Sequence, residues 1–287
     1  MRIDEVPLAE AGQVNLLVSE AFGYTAPHAY FDDFPVWASK NVIRIGGYSR
    51  DVLVSHVGIQ LRNLRTSKNI EKVALIGAVA THTSHQGQGY STRLMNQAIE
   101  IAEQSGMNWC ILWGSEHDFY SKFGFHLSGT QARARISELF SPGLAGEVIS
   151  NLKSKVHSGF SPAILREFLS RKQGIEFKAE DEEWLSLQKT VKWLSLEDPF
   201  SFVAFERGMD LQGIVHEFGG DPAGVRELLH KVLQTNPDSQ IISTTGELLR
   251  IGFSPDDLVT EGLCLARPGN PSLTWDKEFW ISGLSAV

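Results

Sequence analysis

The chain has 287 residues, 42% hydrophobic and 21% charged, a composition that fits one large or two medium globular domains and excludes a disordered chain. Its 34 acidic and 26 basic side chains give a formal charge of −8, which argues against nucleic acid or an anionic membrane as partner and suits a cationic or amine ligand better. Cys110 and Cys264 sit in apolar runs as expected buried free thiols, with no disulfide framework and no metal-ligand spacing; without a signal-peptide core or a membrane-length apolar run, the expected address is cytoplasmic.

Leu8, Ala11, Val14, Leu17, Val18 and Ala21 recur at helical spacing behind Pro7 and predict a first helix. The aromatic, proline-marked stretch from Tyr24 to Trp37 reads as irregular with a short helix, and its rings either line a pocket or seal the edge of a core. "NVIRIGGYS", "VLVSHVGIQLRNL" and "IEKVALIGAVAT" are three β-branched runs joined by polar turns, an antiparallel meander. Leu94, Ala98, Ile101 and Ala102 then form one helical stripe ended by Gly106, and "NWCILWGS" reads as an interior strand reached by a crossover. "EHDFYSKFGFHLSG" predicts a brief helix, a glycine reversal and another strand.

From Gln131 to Asp198 the helical stretches are broken by Ser-Pro and glycine, which predicts a helical connector. Beyond it the pattern repeats weakly: "SFVAFERGMDLQGIVHEFGG" as two strands about a turn, "PAGVRELLHKVLQTN" as a helix, "SQIIST" as a strand, and "ELLRIGF" set against "FYSKFGF". "FWISGLSAV" closes the chain as an apolar, strand-like segment. The expected organisation is a lobe over residues 1–135, a connector over 136–198 and a second lobe over 199–287. The copy carries Gly219-Gly220-Asp221-Pro222 in place of a Gln-Gly-Gln-Gly bend, and Leu248 opposite Tyr120, so its chemistry is expected to be lost.

The bend itself, Gln86-Gly87-Gln88-Gly89-Tyr90-Ser91, lies where a strand gives way to a helix. A glycine-rich helix start presents unpaired N–H groups at the positive end of the helix dipole, which is an anion site. The third glycine of a dinucleotide fingerprint is missing, with Thr92 in its place, and so is the Gly-Lys-Ser/Thr of a nucleoside-triphosphate loop. A metal-free pyrophosphate, as in coenzyme A, remains.

"VATHTSHQGQGYSTRLM" followed by "FYSKFGF" resembles the GNAT superfamily of acetyltransferases, whose signature is Gln/Arg-x-x-Gly-x-Gly/Ala at a strand-to-helix bend with a tyrosine before a downstream Gly-Phe. Gln86, Gly89 and Ser91 take the signature positions, Ser91 departing mildly from the family's Gly/Ala. The resemblance implies an α/β (α+β) fold of two GNAT-like lobes, each a mixed, largely antiparallel twisted sheet flanked by helices, the second degenerate. It implies acetyl-CoA as acyl donor, coenzyme A as product, and transfer to a primary amine of a small molecule or peptide by direct attack on the thioester. Backbone groups of Gln86, Gly87, Gln88, Gly89, Tyr90 and Ser91 would hold the pyrophosphate, those of Val79, Ala80 and Thr81 would polarise the carbonyl, and Tyr120 would protonate the leaving thiolate.

The base that deprotonates the amine stays open among Glu116, His117, Asp118, His82 and the terminal carboxylate of Val287, and each of those side chains has an ordinary reading as a helix cap or exposed polar group. Two other readings stand beside transfer: a non-catalytic acyl-CoA-binding regulatory protein, and a two-lobed interaction protein that keeps only the fold. Acceptor, acyl length and oligomeric state are not legible.

Overall fold

The computed structural model describes residues 2–140, 155–270 and 279–285. Strand β1 (Arg2–Glu5) leads to α1 (Ala11–Ala21) and the short α2 (Tyr30–Asp33), followed by the meander β2 (Val42–Ser49), β3 (Val52–Arg65) and β4 (Ile70–Thr81). Helix α3 (Tyr90–Gln104), β5 (Trp109–Leu112), α4 (His117–Ser121) and β6 (His126–Arg135) complete the first half. Among the described residues after it come β7 (His157–Ser158), α5 (Pro162–Ser170), β8 (Gly174–Ile175), α6 (Glu182–Leu185) and β9 (Lys192–Glu197). The second half continues with β10 (Phe200–Phe205), β11 (Ile214–Gly220), α7 (Pro222–Thr235), β12 (Gln240–Ser243), α8 (Thr245–Arg250) and β13 (Val259–Pro268).

Local chemistry accounts for the main elements. Leu94, Met95, Ala98, Ile99 and Ala102 bury one stripe of α3, and Gly106, at φ +70°, turns the chain out of it. All four residues of β5 are buried, as a strand covered on both faces requires. Pro222 fixes the first turn of α7, whose Val225, Leu228, Leu229 and Val232 are buried.

Both halves share a single 13-stranded sheet in the order β1-β2-β3-β4-β5-β13-β6-β12-β11-β10-β9-β7, with β8 paired to β3 off that path. Among the described residues only β4 with β5 and β11 with β12 run parallel, so the sheet is mixed and mostly antiparallel, with helices on its faces. At its centre the halves interleave. Strand β13, from the end of the chain, lies between β5 and β6, pairing Leu265 with Leu112 on one side and with Leu127 on the other. Strand β6, from the first half, lies between β13 and β12, pairing Ile241 with Ala134.

Three sequence expectations need correction. The stretch read as a helical connector carries α5 and α6 but also the strands β7, β8 and β9; Trp193, Ser195 and Leu196 of β9 are buried as it pairs with β10. Strand β13 was not foreseen, because Glu261, Gly262 and Arg267 interrupt its apolar run; Glu261 is satisfied across the ladder by Gln131 and by Arg133 at 2.8 Å, and Arg267 by Glu103 at 2.9 Å. The segment 279–285 is not a strand but a buried coil ending in a turn, with Phe279, Ile281 and Leu284 packed inside.

Because each half of the sheet is closed by a strand of the other, the two should not melt separately. Leu265→Ala, a truncation of a side chain only 4% exposed, should cost about 2–5 kcal/mol. Urea unfolding followed by far-UV circular dichroism and by tryptophan fluorescence should give one coincident transition in wild type and variant alike.

Candidate active site

The bend sits where the sequence places it. After β4 a 3-10 turn over Thr83–His85 leads to Gln86 in extended conformation, then Gly87 at φ +73° and Gly89 at φ +78°, which is the N-cap of α3. A Cβ built on either glycine would meet no atom within 4 Å, so glycine serves the left-handed backbone and leaves open space at the helix start. Gly89 offers no capping side chain, so the first-turn N–H groups face that space uncapped. An anion such as a pyrophosphate fits this cradle.

The side chains around it act differently. Ser91 shares a hydrogen bond with Thr81 at 2.7 Å, Thr81 shares one with Ser55 at 2.8 Å, and Ser55 donates to the Ala80 carbonyl at 2.9 Å. This hydroxyl chain ties the start of α3 to the end of β4. The Gln88 amide donates back to the Ser84 carbonyl at 3.1 Å, and that of Gln86 to Thr81 at 3.4 Å. Tyr90 is buried against Gly47, so what it presents to the cradle is backbone.

On the other side of β4 the sheet opens. Strand β4 pairs with β5 only from Val73 to Leu75, and beyond that the two diverge. Opposite β3, a β-bulge sets Ala78 and Val79 against the single residue Val57, and Ala78 stands at φ +50°. Its carbonyl accepts a hydrogen bond from His56 Nδ1 at 2.8 Å, and His56 is fully buried. A carbonyl can only accept, so the imidazole is the neutral Nδ1–H tautomer; burial pushes its pKa down to about 4.

The opening is a cavity of about 350 Å³ lined by Ile76, Gly77, Ala78 and Val79 of β4, by Leu112 and Trp113 at the end of β5, and by Tyr120 of α4. Tyr120 is 8% exposed and packs its ring between Phe119 and Phe125. Burial, reinforced by the charge of Glu116, raises its pKa, so at neutral pH the hydroxyl carries a proton and can give it.

The remaining walls come from elements that motif reading passed over. Phe22, Tyr24, Tyr30 and Phe34 form one side, so part of the aromatic run does line a pocket. Arg207, Met209, Asp210 and Leu211, on the hairpin between β10 and β11, form another, with Ile281 and Gly283 beyond. The Arg207 guanidinium lies 4.4 Å above the Phe34 ring, donates to the Gly283 carbonyl and stands 3.3 Å from Asp210. Beside it Asp33, 2% exposed, accepts from the Tyr24 and Thr190 hydroxyls, and burial with the Asp33 contact holds the Tyr24 pKa far above its usual range. The only sequence signal for the hairpin was its Gly-Met-Asp turn, which names a reversal and says nothing of where it points.

The candidate bases do not converge on this cavity. Glu116, His117 and Asp118 are exposed at the start of α4, and His82 bonds Ser84 at 2.7 Å and lies 3.4 Å from Glu20. The carboxylate of Val287 lies outside the described residues. Among the described residues, Asp210 is the one carboxylate in the cavity lining.

The corresponding place in the second half is closed. Asp221 alone separates β11 from α7, and its carboxylate accepts from the N–H groups of Ala223 at 2.9 Å and Gly224 at 3.0 Å, while Pro222 has no N–H to offer. The helix start is filled by its own acid, and Leu248, where the repeat sets Tyr120, is fully buried.

His216, on β11, is the second buried imidazole, bonded to the Glu206 carbonyl at 3.0 Å and pushed down to about 3 by burial and by Arg207. An unfolded chain protonates both histidines near 6.5, the folded one only near 4 and 3. Their stabilisation is therefore full above about pH 6.5 and is lost as pH falls toward the folded values. Urea midpoints between pH 7.5 and 4.5 should fall less steeply for His56→Leu than for wild type.

Residues 2–128 match the sequence model of the acetyltransferase (GNAT) domain. No curated protein sequence matches the chain. Among solved structures, a GCN5-related N-acetyltransferase from Anabaena variabilis aligns at TM-score 0.65 and 12% identity, over 94% of this chain and 73% of that one. A GCN5-related N-acetyltransferase from Kribbella flavida aligns at 0.63 and 17%, over 93% and 70%. Eis1 from Mycobacterium abscessus aligns at 0.63 and 15%, over 94% and 74%. Residues 2–128 thus form an acetyltransferase (GNAT) domain, and over nearly its whole length the chain has the fold of these GCN5-related N-acetyltransferase structures.

Proposed function

We propose that the protein is an acetyl-CoA-dependent N-acetyltransferase acting on a primary amine of a small molecule or peptide. One observation carries this reading: the uncapped cradle at Gln86–Ser91 and the cavity holding Tyr120 lie on either side of the same strand end, that of β4. Acetyl-CoA supplies the acetyl group as a thioester open to direct attack by an amine. The backbone from Gln86 to Ser91 would hold its pyrophosphate, and that of Val79, Ala80 and Thr81 would polarise its carbonyl. The protonated hydroxyl of Tyr120 would give its proton to the departing sulfur.

The acceptor would enter from the side walled by the aromatic rings and the Arg207 hairpin. An alkyl amine, with a pKa of about 10.4, must shed a proton before it attacks. Asp210, half exposed in the cavity wall and 3.3 Å from Arg207, would receive it. In the second half, read as a degenerate copy of the first, Asp221 and Leu248 leave neither an anion cradle nor an acid, so one site per chain is proposed.

Calorimetry with acetyl-CoA and thiol release over a panel of amines test the reading. Gln86→Glu, isosteric but negative at the cradle, should weaken acetyl-CoA binding by about ten-fold or more. Tyr120→Phe should bind as wild type and transfer about 100-fold more slowly. Binding with no amine-dependent thiol release would instead favour the non-catalytic acyl-CoA-binding protein, and absence of binding would overturn both.

A further inference from the structure

Ala78 is a residue with a Cβ held in the left-handed region, in the middle of a twelve-residue strand. Such a conformation persists only where its surroundings fix it. Its ladder partner is lost, since the bulge leaves Ala78 and Val79 opposite Val57 alone, and its other edge is free of β5. What fixes it is the side chain of the neighbouring strand: His56, with no exposed surface, donates from Nδ1 to the Ala78 carbonyl at 2.8 Å. Ser55, next to it, donates to the Ala80 carbonyl and so holds the strand just beyond the bulge.

We infer that His56 is a positioning residue for acyl transfer: through the Ala78 carbonyl it sets the bulge of β4, and so aims the backbone N–H groups of Val79 to Thr81 at the thioester carbonyl. The inference rests on the transferase reading above. Imidazole suits the task because Ala78 and His56 are both enclosed; a neutral ring supplies one donor without a buried charge. Among the described residues the same device recurs once. Glu206 stands at φ +58°, and the buried His216 donates from Nε2 to its carbonyl at 3.0 Å. That pair shapes the hairpin carrying Arg207 and Asp210, the opposite wall of the cavity. His216 therefore offers a control that matches His56 in burial and bonding and differs in which wall it holds.

Difference infrared spectra of bound acetyl-CoA, ¹³C-labelled at the thioester carbonyl, read this directly, alongside calorimetric binding and melting of each variant. In the wild type the carbonyl band should lie at lower wavenumber than in free acetyl-CoA. His56→Asn, which keeps a donor near the position of Nδ1, should retain most of that downshift; His56→Leu should lose it while binding acetyl-CoA within about three-fold of wild type, since the cradle is untouched. Transfer should fall by about 100-fold in His56→Leu, as expected when a polarising donor is misplaced by about 1 Å. His216→Leu, destabilised alike, should keep the wild-type band. Ala78→Gly in the His56→Leu background should recover part of the shift, because glycine takes a positive φ unaided, and it provides the second variant if His56→Leu alone does not fold. A full downshift in His56→Leu with normal binding would overturn the role of His56 alone. Equal loss of the band in His216→Leu would overturn it too, by showing general loosening. Failure of the wild type to bind acetyl-CoA would overturn the transferase reading and this inference with it.

Discussion

Strand β4 can pair with β5 over three residues and no further, and most of what distinguishes this molecule follows from that limit. Two parallel neighbours that part company leave a row of backbone groups without a ladder, a situation that a folded protein normally avoids. Here the gap is lined rather than filled: Trp113 and Tyr120 stand at one side, the aromatic run of the first half at another, and a hairpin from the far half at a third. The strand that opens the gap also leads into the glycine bend, so cradle and cavity are fixed to one another by a few residues of β4 and by the hydroxyl chain from Ser55 through Thr81 to Ser91.

The parts of this arrangement legible in the sequence are those set by local rules. The meander, α3 with its buried stripe and the left-handed glycines of the bend all depend on neighbours within a few residues, and so do α7 and α8 in the second half. The place of Tyr120 before Gly124-Phe125 marks it as a candidate from sequence, whereas its seat in the cavity wall, its burial and its raised pKa depend on tertiary packing. Strand β13 is hidden from sequence reading because its Glu261 is satisfied by Gln131 and Arg133, about 130 positions away, and its Arg267 by Glu103. Arg207 and Asp210 share that difficulty: a turn motif predicts that the chain reverses, while the wall it completes belongs to the other half. The bulge at Ala78 leaves no mark in composition, since alanine is an unremarkable strand residue and the cause of its conformation, His56, is 22 positions earlier.

The two halves of the sheet obey one plan and differ at the points where chemistry is expected. Each places a parallel pair of strands about a crossover helix, follows it with a short helix, and ends on a strand that crosses to the other side. In the first half the crossover helix begins on a glycine and leaves its N–H groups to solvent; in the second, Asp221 satisfies them from within. A carboxylate at that position stabilises the helix by about 1 kcal/mol while occupying the place an external anion would take. At this helix start local stability and room for an external anion exclude one another.

The reciprocal crossing of β6 and β13 has the geometry of a strand exchange. Two identical chains that exchanged their last strands would present this same central order, each completing the other's sheet. Within one chain the same crossing needs no second molecule, so its formation does not depend on concentration. The crossing also holds the second half against the first, and the hairpin at Arg207 is thereby kept as a wall of the cavity at β4.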